Sequence, residues 1–129
     1  MAQKGFKRAD RVSERIRSEL MELLLRGSLR DPAAKDVVVS AVRMTDDLSI
    51  ARVYVRVLGE AGPERQEAVV EALVRASGFL RRELGHRLEL RHVPSLEFYW
   101  DDVVDSALRI ESILDELRDG TDVETKGSK

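Results

Sequence analysis

Hydrophobic positions recur along the first half of the chain with two different spacings, which predict a helix followed by two strands. Between Arg8 and Arg26 apolar residues return every three or four positions, which is the period of one face of an α-helix. Residues 37–44 are rich in β-branched side chains and residues 49–58 alternate strictly, so both stretches predict strands. The short polar turn between them predicts an antiparallel hairpin. The side chains of the second strand that we expect in the core are Ala51, Val53, Val55 and Val57.

The second half of the chain predicts two more helices, a third strand and a last helix. Helical spacing covers residues 64–75 and, after a short interruption, continues to about Gly85. Alternation returns from Leu96 to Trp100, with Trp100 on the inward face, and a helix is predicted from Asp102. The order α-β-β-α-α-β plus a C-terminal helix predicts an α+β fold in which the helices pack on one face of a three-stranded sheet.

The length of 129 residues fits a single domain, which we place at residues 8–118. Residues 1–7 are polar and basic and predict a flexible leader, while residues 119–129 lack an apolar pattern and predict a disordered tail. The absence of cysteine excludes disulfides, cysteine zinc sites and thiol catalysis. No apolar run reaches the length of a membrane span. We therefore expect a monomeric, cytoplasmic protein that contacts no membrane.

The net charge of −2 conceals an uneven distribution of charged residues. Residues 1–30 hold eight basic and four acidic side chains, whereas residues 95–129 hold ten acidic and four basic ones. Arg8, Arg11 and Arg15 fall on one flank of the predicted first helix, away from its apolar stripe. The basic end indicates a nucleic-acid surface, and the acidic end indicates a tail or a docking surface for another protein.

The second and third helices are separated by the small residues Ala76, Ser77 and Gly78. Glycine inside a helix costs about 1 kcal/mol relative to alanine, so its presence there suggests a geometric reason. A bend at this step would expose the amino-terminal end of the following helix, whose free N–H groups and positive dipole favour phosphate. The alternative is a helix–helix corner in which glycine only allows close packing. The arginines beside the step are Arg75, Arg81 and Arg82.

Common short catalytic motifs are missing from the sequence, which has no P-loop, no G-x-G-x-x-G and no G-x-S-x-G. The two histidines, His86 and His92, lack the helical spacing of zinc ligands. We therefore expect no metal, no cofactor and no enzymatic activity.

Tyr54 lies between Arg52 and Arg56 on the outward side of the predicted second strand. Aromatic rings stack on bases and arginine contacts phosphate, so this alternation is compatible with RNA contact. An outer sheet face that is merely solvated explains the same pattern. The sequence leaves both interpretations open.

Several short motifs, taken together in their order and spacing, resemble the ribosome-binding factor A family. That family has a KH-like domain with an Ala-x-Gly kink in place of the usual Gly-x-x-Gly loop, and the kink corresponds to Ala76-Ser77-Gly78 here. The other matching motifs are Arg11-Val-x-Glu-x-Ile16, Val42-x-x-Thr-Asp-Asp-Leu48, Ala51-x-Val-Tyr-Val55, Leu80-Arg-x-x-Leu84, Val93-Pro-x-Leu-x-Phe98 with Asp101, and Arg109-Ile-x-x-Ile-Leu114. The resemblance covers residues 8–117.

The resemblance implies a KH-like type II fold that binds the 30S small ribosomal subunit and its 16S rRNA. It also implies a role in late maturation of that RNA and in growth in the cold, without catalysis or a cofactor. The candidate RNA-binding residues are Arg8, Arg11, Arg15, Arg75, Ala76, Ser77, Gly78, Arg81 and Arg82. The alternative function is a protein-interaction adaptor of the same fold, which docks through its acidic C-terminal helix.

Overall fold

The computed structural model describes residues 3–102, with side chains from residue 8 onward. Its elements in chain order are helix α1 (Gln3–Leu25), a 3₁₀ turn (Pro32–Ala34), strands β1 (Val37–Met44) and β2 (Ile50–Val57), helices α2 (Pro63–Arg75) and α3 (Ser77–Leu88), and strand β3 (Ser95–Trp100). This order confirms the predicted α-β-β-α-α-β sequence of elements. The predicted C-terminal helix beyond Asp102 and the predicted tail lie outside the described residues.

The predicted start of α1 is wrong, and α3 runs a few residues past its approximate expected end. α1 begins at Gln3 rather than at Arg8, so residues 3–7 extend the helix. This stretch has no proline and only one glycine, and polar residues alone do not stop a helix. α3 continues to Leu88 instead of ending near Gly85, because Leu88 is buried and adds to the apolar face of the helix.

α1 ends in the glycine turn that its sequence predicts. Gly27 has a φ of 73°, a left-handed conformation that glycine adopts without a steric penalty. Its N–H donates to Leu24 O at 3.1 Å, and the N–H of Ser28 donates to Leu23 O at 3.2 Å. These two bonds satisfy carbonyl groups that the end of a helix otherwise leaves without a donor.

The sheet has the order β1-β2-β3, with β2 in the centre. β1 and β2 form the predicted antiparallel hairpin, from Val37 opposite Val57 to Met44 opposite Ala51. β3 runs parallel to β2, and its first residue, Ser95, lies beside Ile50. The segment that leads into β3 therefore lies at the end of the sheet where β2 starts.

The core lies between one face of this sheet and the helices, as predicted. Ala51, Val53 and Val55 of β2 are fully buried and Val57 is nearly so. The helices contribute the buried side chains Ile16, Leu20, Leu23, Val69, Leu73, Leu80 and Leu84. Trp100, which we expected to face inward, packs against this core while remaining half-buried. Among the described residues, none accepts a hydrogen bond from its indole N–H.

Candidate functional site

The chain changes direction between α2 and α3 at Ala76, which is the first of the three small residues. Ala76 has φ −91° and ψ 3°, outside the helical values, and its N–H donates to the carbonyls of Ala72 and Leu73. The hydroxyl of Ser77 donates to Val74 O at 2.8 Å, which closes the last turn of α2. α3 then starts with Ser77, and the predicted break is confirmed.

Gly78 does not have the strained backbone that a glycine at a kink suggests. It lies in the first turn of α3 without a positive φ, and an added Cβ would meet no atom within 4 Å. Of the two interpretations of this glycine, a strained kink residue or an ordinary helical one, the structure has the second. The break occurs two residues earlier, so Gly78 contributes open space over the backbone and no unusual geometry.

The open space at Gly78 lies over the backbone at the start of α3. The first intrahelical bond of this end of α3 runs from the Leu80 N–H to Ala76 O at 2.9 Å. The N–H groups of Ser77, Gly78 and Phe79 precede that bond, so α3 itself supplies them with no acceptor. Ala76 supplies no side-chain cap. The positive end of the α3 dipole therefore lies at Gly78, where it favours an anion.

A shallow depression of about 370 Å³ joins this helix end to the segment before β3. Its lining residues are Gly78, Arg81, Arg82, Arg91, His92 and Val93. Four of the six are basic residue types, and the arginines and His92 are exposed. Of these residues, the sequence predicted only Gly78, Arg81 and Arg82 as part of the site. Arg91 and His92 join the site because the segment before β3 packs beside α3.

Arg81 holds the two walls of the depression together. Its Nε donates to Pro94 O at 3.0 Å, and its terminal Nη2 donates to Val93 O at 2.8 Å. Gly85 lets the same segment pack closely, because an added Cβ would lie 3.0 Å from Cγ2 of Val93. Arg81 is therefore a positioning residue for the segment that carries Arg91, with part of its hydrogen-bonding capacity already used.

Arg75 is also held within the chain. Its guanidinium forms an ion pair with the carboxylate of Asp31 at 2.8 Å. Asp31 caps the 3₁₀ turn by accepting from the Ala33 N–H at 3.0 Å. The hydrogen bond from Arg75, together with the Ala33 N–H, lowers the pKa of Asp31, so the pair stays charged at neutral pH. Arg75 therefore ties the end of α2 to the turn before β1.

Unlike the side chains of Arg75 and Arg81, those of Arg82 and Arg91 are not held by contacts within the described part of the chain. Both are exposed, and neither has a hydrogen bond or an ion pair with any residue in the described part of the chain. Guanidinium groups of this kind can form paired hydrogen bonds with phosphate oxygens. Around Gly78, these two side chains are the arginines that a ligand meets without breaking an internal contact.

Arg8, Arg11 and Arg15 lie on the flank of α1 that faces α3. Arg87 of α3 forms ion pairs with Glu19, at 2.9 Å, and with Glu22. At 100° per residue, the three arginines fall within the same narrow arc of α1 as these two glutamates. The α1 arginines and α3 therefore lie on the same side of α1. Asp10 and Glu14 lie beside Arg11 and Arg15 in a shallow groove.

The described part of the chain lacks features of other classes of site. Within residues 3–102, no group of three or more histidine, aspartate or glutamate side chains could hold a metal ion. None of the helices described is long and apolar enough to cross a membrane. What the depression offers is positive charge and backbone N–H groups around an open glycine, which suits an anion.

Comparisons with known proteins identify the family of this chain. Residues 8–114 match the family Ribosome-binding factor A. Two relatives named Ribosome-binding factor A come from Syntrophobacter fumaroxidans and Sorangium cellulosum. The first is 41% identical over 87% of this chain and 95% of its own, and the second is 44% identical over 89% and 92%.

Solved structures of the same family share the fold. The crystal structure of ribosome-binding factor A from Thermus thermophilus superposes with a TM-score of 0.64 at 29% identity, over 74% of this chain and 97% of that one. A second set of Thermus thermophilus coordinates was fitted into a cryo-EM map of the complex of this factor with the 30S subunit. It superposes with a TM-score of 0.52 at 32% identity, over 68% of this chain and 94% of that one. With nearly its whole described length matched, this chain belongs to the ribosome-binding factor A family.

Proposed function

We propose that this protein binds the 30S ribosomal subunit through its 16S rRNA and assists late maturation of that RNA. It acts in the cytoplasm as a non-catalytic assembly factor and supports growth in the cold. Family membership supports the proposal, as does the 30S complex of the Thermus thermophilus relative. The KH-like arrangement of helices on one sheet face is the type of fold in which a helix pair holds a nucleic-acid backbone.

The single observation that carries the proposal is the group of cationic side chains around Gly78. Arg82 and Arg91 supply positive charge, and Arg81 fixes the segment that carries Arg91. The open backbone at Gly78 lets a phosphate come within reach of the α3 N–H groups. Sequence-independent contacts of this kind position an RNA backbone.

The remaining candidate residues have different roles in this proposal. Arg8, Arg11 and Arg15 extend the positive surface along the flank of α1 that faces α3, where they steer RNA by long-range attraction. Ala76 and Ser77 shape the break between the helices. Arg75 acts indirectly, since its ion pair with Asp31 holds the end of α2 in place.

A protein-interaction adaptor that docks through the acidic C-terminal helix is the alternative function. The residues of that helix lie beyond the described residues, and the sequence alone motivates the idea. The two functions differ in their salt dependence. Affinity that depends on several phosphate contacts falls steeply with salt, whereas docking of an apolar helix face does not.

Sedimentation of cell lysate on a sucrose gradient tests the proposal. The protein should travel with free 30S particles at low salt and leave them as the salt concentration rises, because phosphate contacts release counterions. Migration at the top of the gradient, or with 50S particles, would refute it. Binding to 30S particles that is insensitive to salt would favour the adaptor.

Replacing Gly78 with alanine should separate stability from binding. The free energy of unfolding should stay unchanged or rise by up to about 1 kcal/mol, because the added methyl meets no atom and alanine favours helix. The affinity for 30S particles should fall several-fold, since the methyl stands where RNA approaches the backbone. Thermal unfolding and co-sedimentation measure the two effects.

Gly62 offers a matched control for this variant. An added Cβ at Gly62 would also meet no atom within 4 Å, and the φ of Gly62 is −75°. Gly62 is the N-cap of α2, so it lies at the opposite end of that helix from the break. Gly62→Ala should leave 30S affinity unchanged and cost about 0.5–1.5 kcal/mol as a weaker N-cap. Equal 30S affinities for the wild type and Gly78→Ala would mean that RNA does not approach the backbone at this glycine.

A further inference from the structure

The face of the sheet opposite the helices carries an ordered row of aromatic and basic side chains. In the register of the sheet, Tyr54 of β2 lies beside Ala41 of β1 on one side and Tyr99 of β3 on the other. The adjacent row places Arg52 between Arg43 and Glu97. Since side chains two apart on a strand share a face, all six belong to one surface.

Tyr54 and Tyr99 stack on each other across the two strands. Their ring centroids lie 5.5 Å apart and the ring planes are inclined by 27°. Tyr99 lies near the end of the edge strand β3 and is 42% exposed. Ala41, on the other side of Tyr54, has only a methyl group and cannot cover a ring. The pair therefore forms a preassembled aromatic surface with an uncovered side.

Glu97 fixes the orientation of this pair and of the neighbouring arginine. The phenol of Tyr99 donates to Glu97 Oε1 at 2.7 Å, and the same oxygen lies 3.5 Å from Nε of Arg52. This hydrogen bond raises the pKa of Tyr99, so the ring stays neutral at physiological pH. Arg43 is exposed and has no hydrogen bond or ion pair to any residue between 8 and 102. The two arginines outnumber the one carboxylate in this row.

We propose that this outer face is a second RNA site, which takes single-stranded RNA by stacking an unpaired base on Tyr99 and Tyr54. Aromatic side chains on an open sheet stack with any base, and a nearby arginine contacts the adjoining phosphate. Arg43 and Arg52 stand one row from the tyrosines, which is two residues or about 7 Å along a strand. The row of Arg43, Arg52 and Glu97 has a net positive charge, so a polyanion is a better binding partner for it than a basic protein surface.

This site lies on the opposite side of the sheet from Gly78 and Arg82. The inward side chains of β2 are buried beneath the helices, so one RNA phosphate cannot contact both surfaces. The protein would thus hold an unpaired segment on its sheet and a structured RNA backbone at its helices. An unpaired segment is a common feature of RNA that has not yet reached its final fold.

Binding of fluorescein-labelled octauridylate to the full-length chain tests the site by fluorescence anisotropy. Tyr99→Ala should raise the dissociation constant about 5- to 100-fold, which is the range for losing one stacked base. Tyr99→Phe keeps the ring and should stay within about twofold of the wild type. Arg43→Glu should weaken binding about tenfold, and it provides a second variant if Tyr99→Ala is poorly folded by circular dichroism.

Three results would overturn the proposal. The wild type could fail to bind octauridylate at low salt, or Tyr99→Ala and Arg43→Glu could both bind like the wild type. Arg82→Glu could abolish binding while Tyr99→Ala does not, which would assign the oligonucleotide to the helix side. Co-sedimentation of Tyr99→Ala with 30S particles is a separate measurement, so a failed sheet site is distinguishable from a failed ribosome-binding function.

Discussion

Charge reversal of Arg82 and Arg91 together should lower the affinity of this protein for 30S particles by at least roughly 100-fold, since each lost contact between a charged donor and phosphate is worth about 1.5–3 kcal/mol. Both side chains are exposed and line the depression at Gly78. The slope of log affinity against log salt should also become shallower by about 2 units, because two phosphate contacts are lost. Co-pelleting with purified 30S particles at several salt concentrations measures both quantities.

Neither Arg82 nor Arg91 holds the fold together, so the double variant Arg82→Glu with Arg91→Glu tests binding without removing an internal contact. Arg81 is a poorer choice, since it donates to the carbonyls of Val93 and Pro94 and its loss would displace the segment before β3. Arg30→Glu with Lys35→Glu makes the same change in net charge with two other exposed residues, near the start of β1. If this control loses 30S affinity as much as the double variant, the effect is one of overall charge.

Truncating Leu80 to alanine should destabilise the protein by about 2–5 kcal/mol. Leu80 is completely buried and belongs to the core cluster formed by the helices and the sheet. Its removal takes apolar contacts from the interior and leaves a cavity that the surrounding side chains fill only in part. The melting temperature should fall by on the order of 10 °C or more, and differential scanning calorimetry measures the fall.

Leu25→Ala is the matched control for this truncation. Leu25 is the last residue of α1 and is 77% exposed. Its truncation removes the same atoms as the truncation of Leu80, but these atoms contact water instead of the core. We expect a change within about 0.5 kcal/mol. An equally small change of stability in both variants would mean that α3 does not pack into the core as described.

The order of elements and the inward faces of the strands could be predicted from the sequence because they depend on periodicity. Ala51, Val53 and Val55 alternate with polar residues, and all three are buried as expected. The start of α1 could not be predicted, because residues 3–7 hold one apolar side chain, Phe6, among polar residues and a glycine. A single apolar residue is too weak a signal in the spacing of hydrophobic residues to extend a helix.

The sequence predicts where the candidate site lies, but it does not predict all of the residues that form it. The small residues and Arg82 stand out locally, but Arg91 and His92 reach the same depression only because the segment before β3 packs back along α3. Which arginines are already engaged was also hidden, since Arg75 meets Asp31 from 44 positions away in the chain. Contacts between residues so distant in sequence are set by the tertiary fold, which local patterns do not encode.

Directed hydroxyl-radical cleavage of 16S rRNA tests the central claim most directly. The natural chain has no cysteine, so an iron chelate can be tethered to a single introduced one. His86→Cys places it on α3 one turn beyond Arg82, and Glu60→Cys places it in the exposed loop after β2, at the other end of the sheet from Ser95. Bound to 30S particles, the α3 tether should cleave defined positions of 16S rRNA strongly and the loop tether should cleave them weakly. Strong cleavage from the loop with none from α3 would contradict the account.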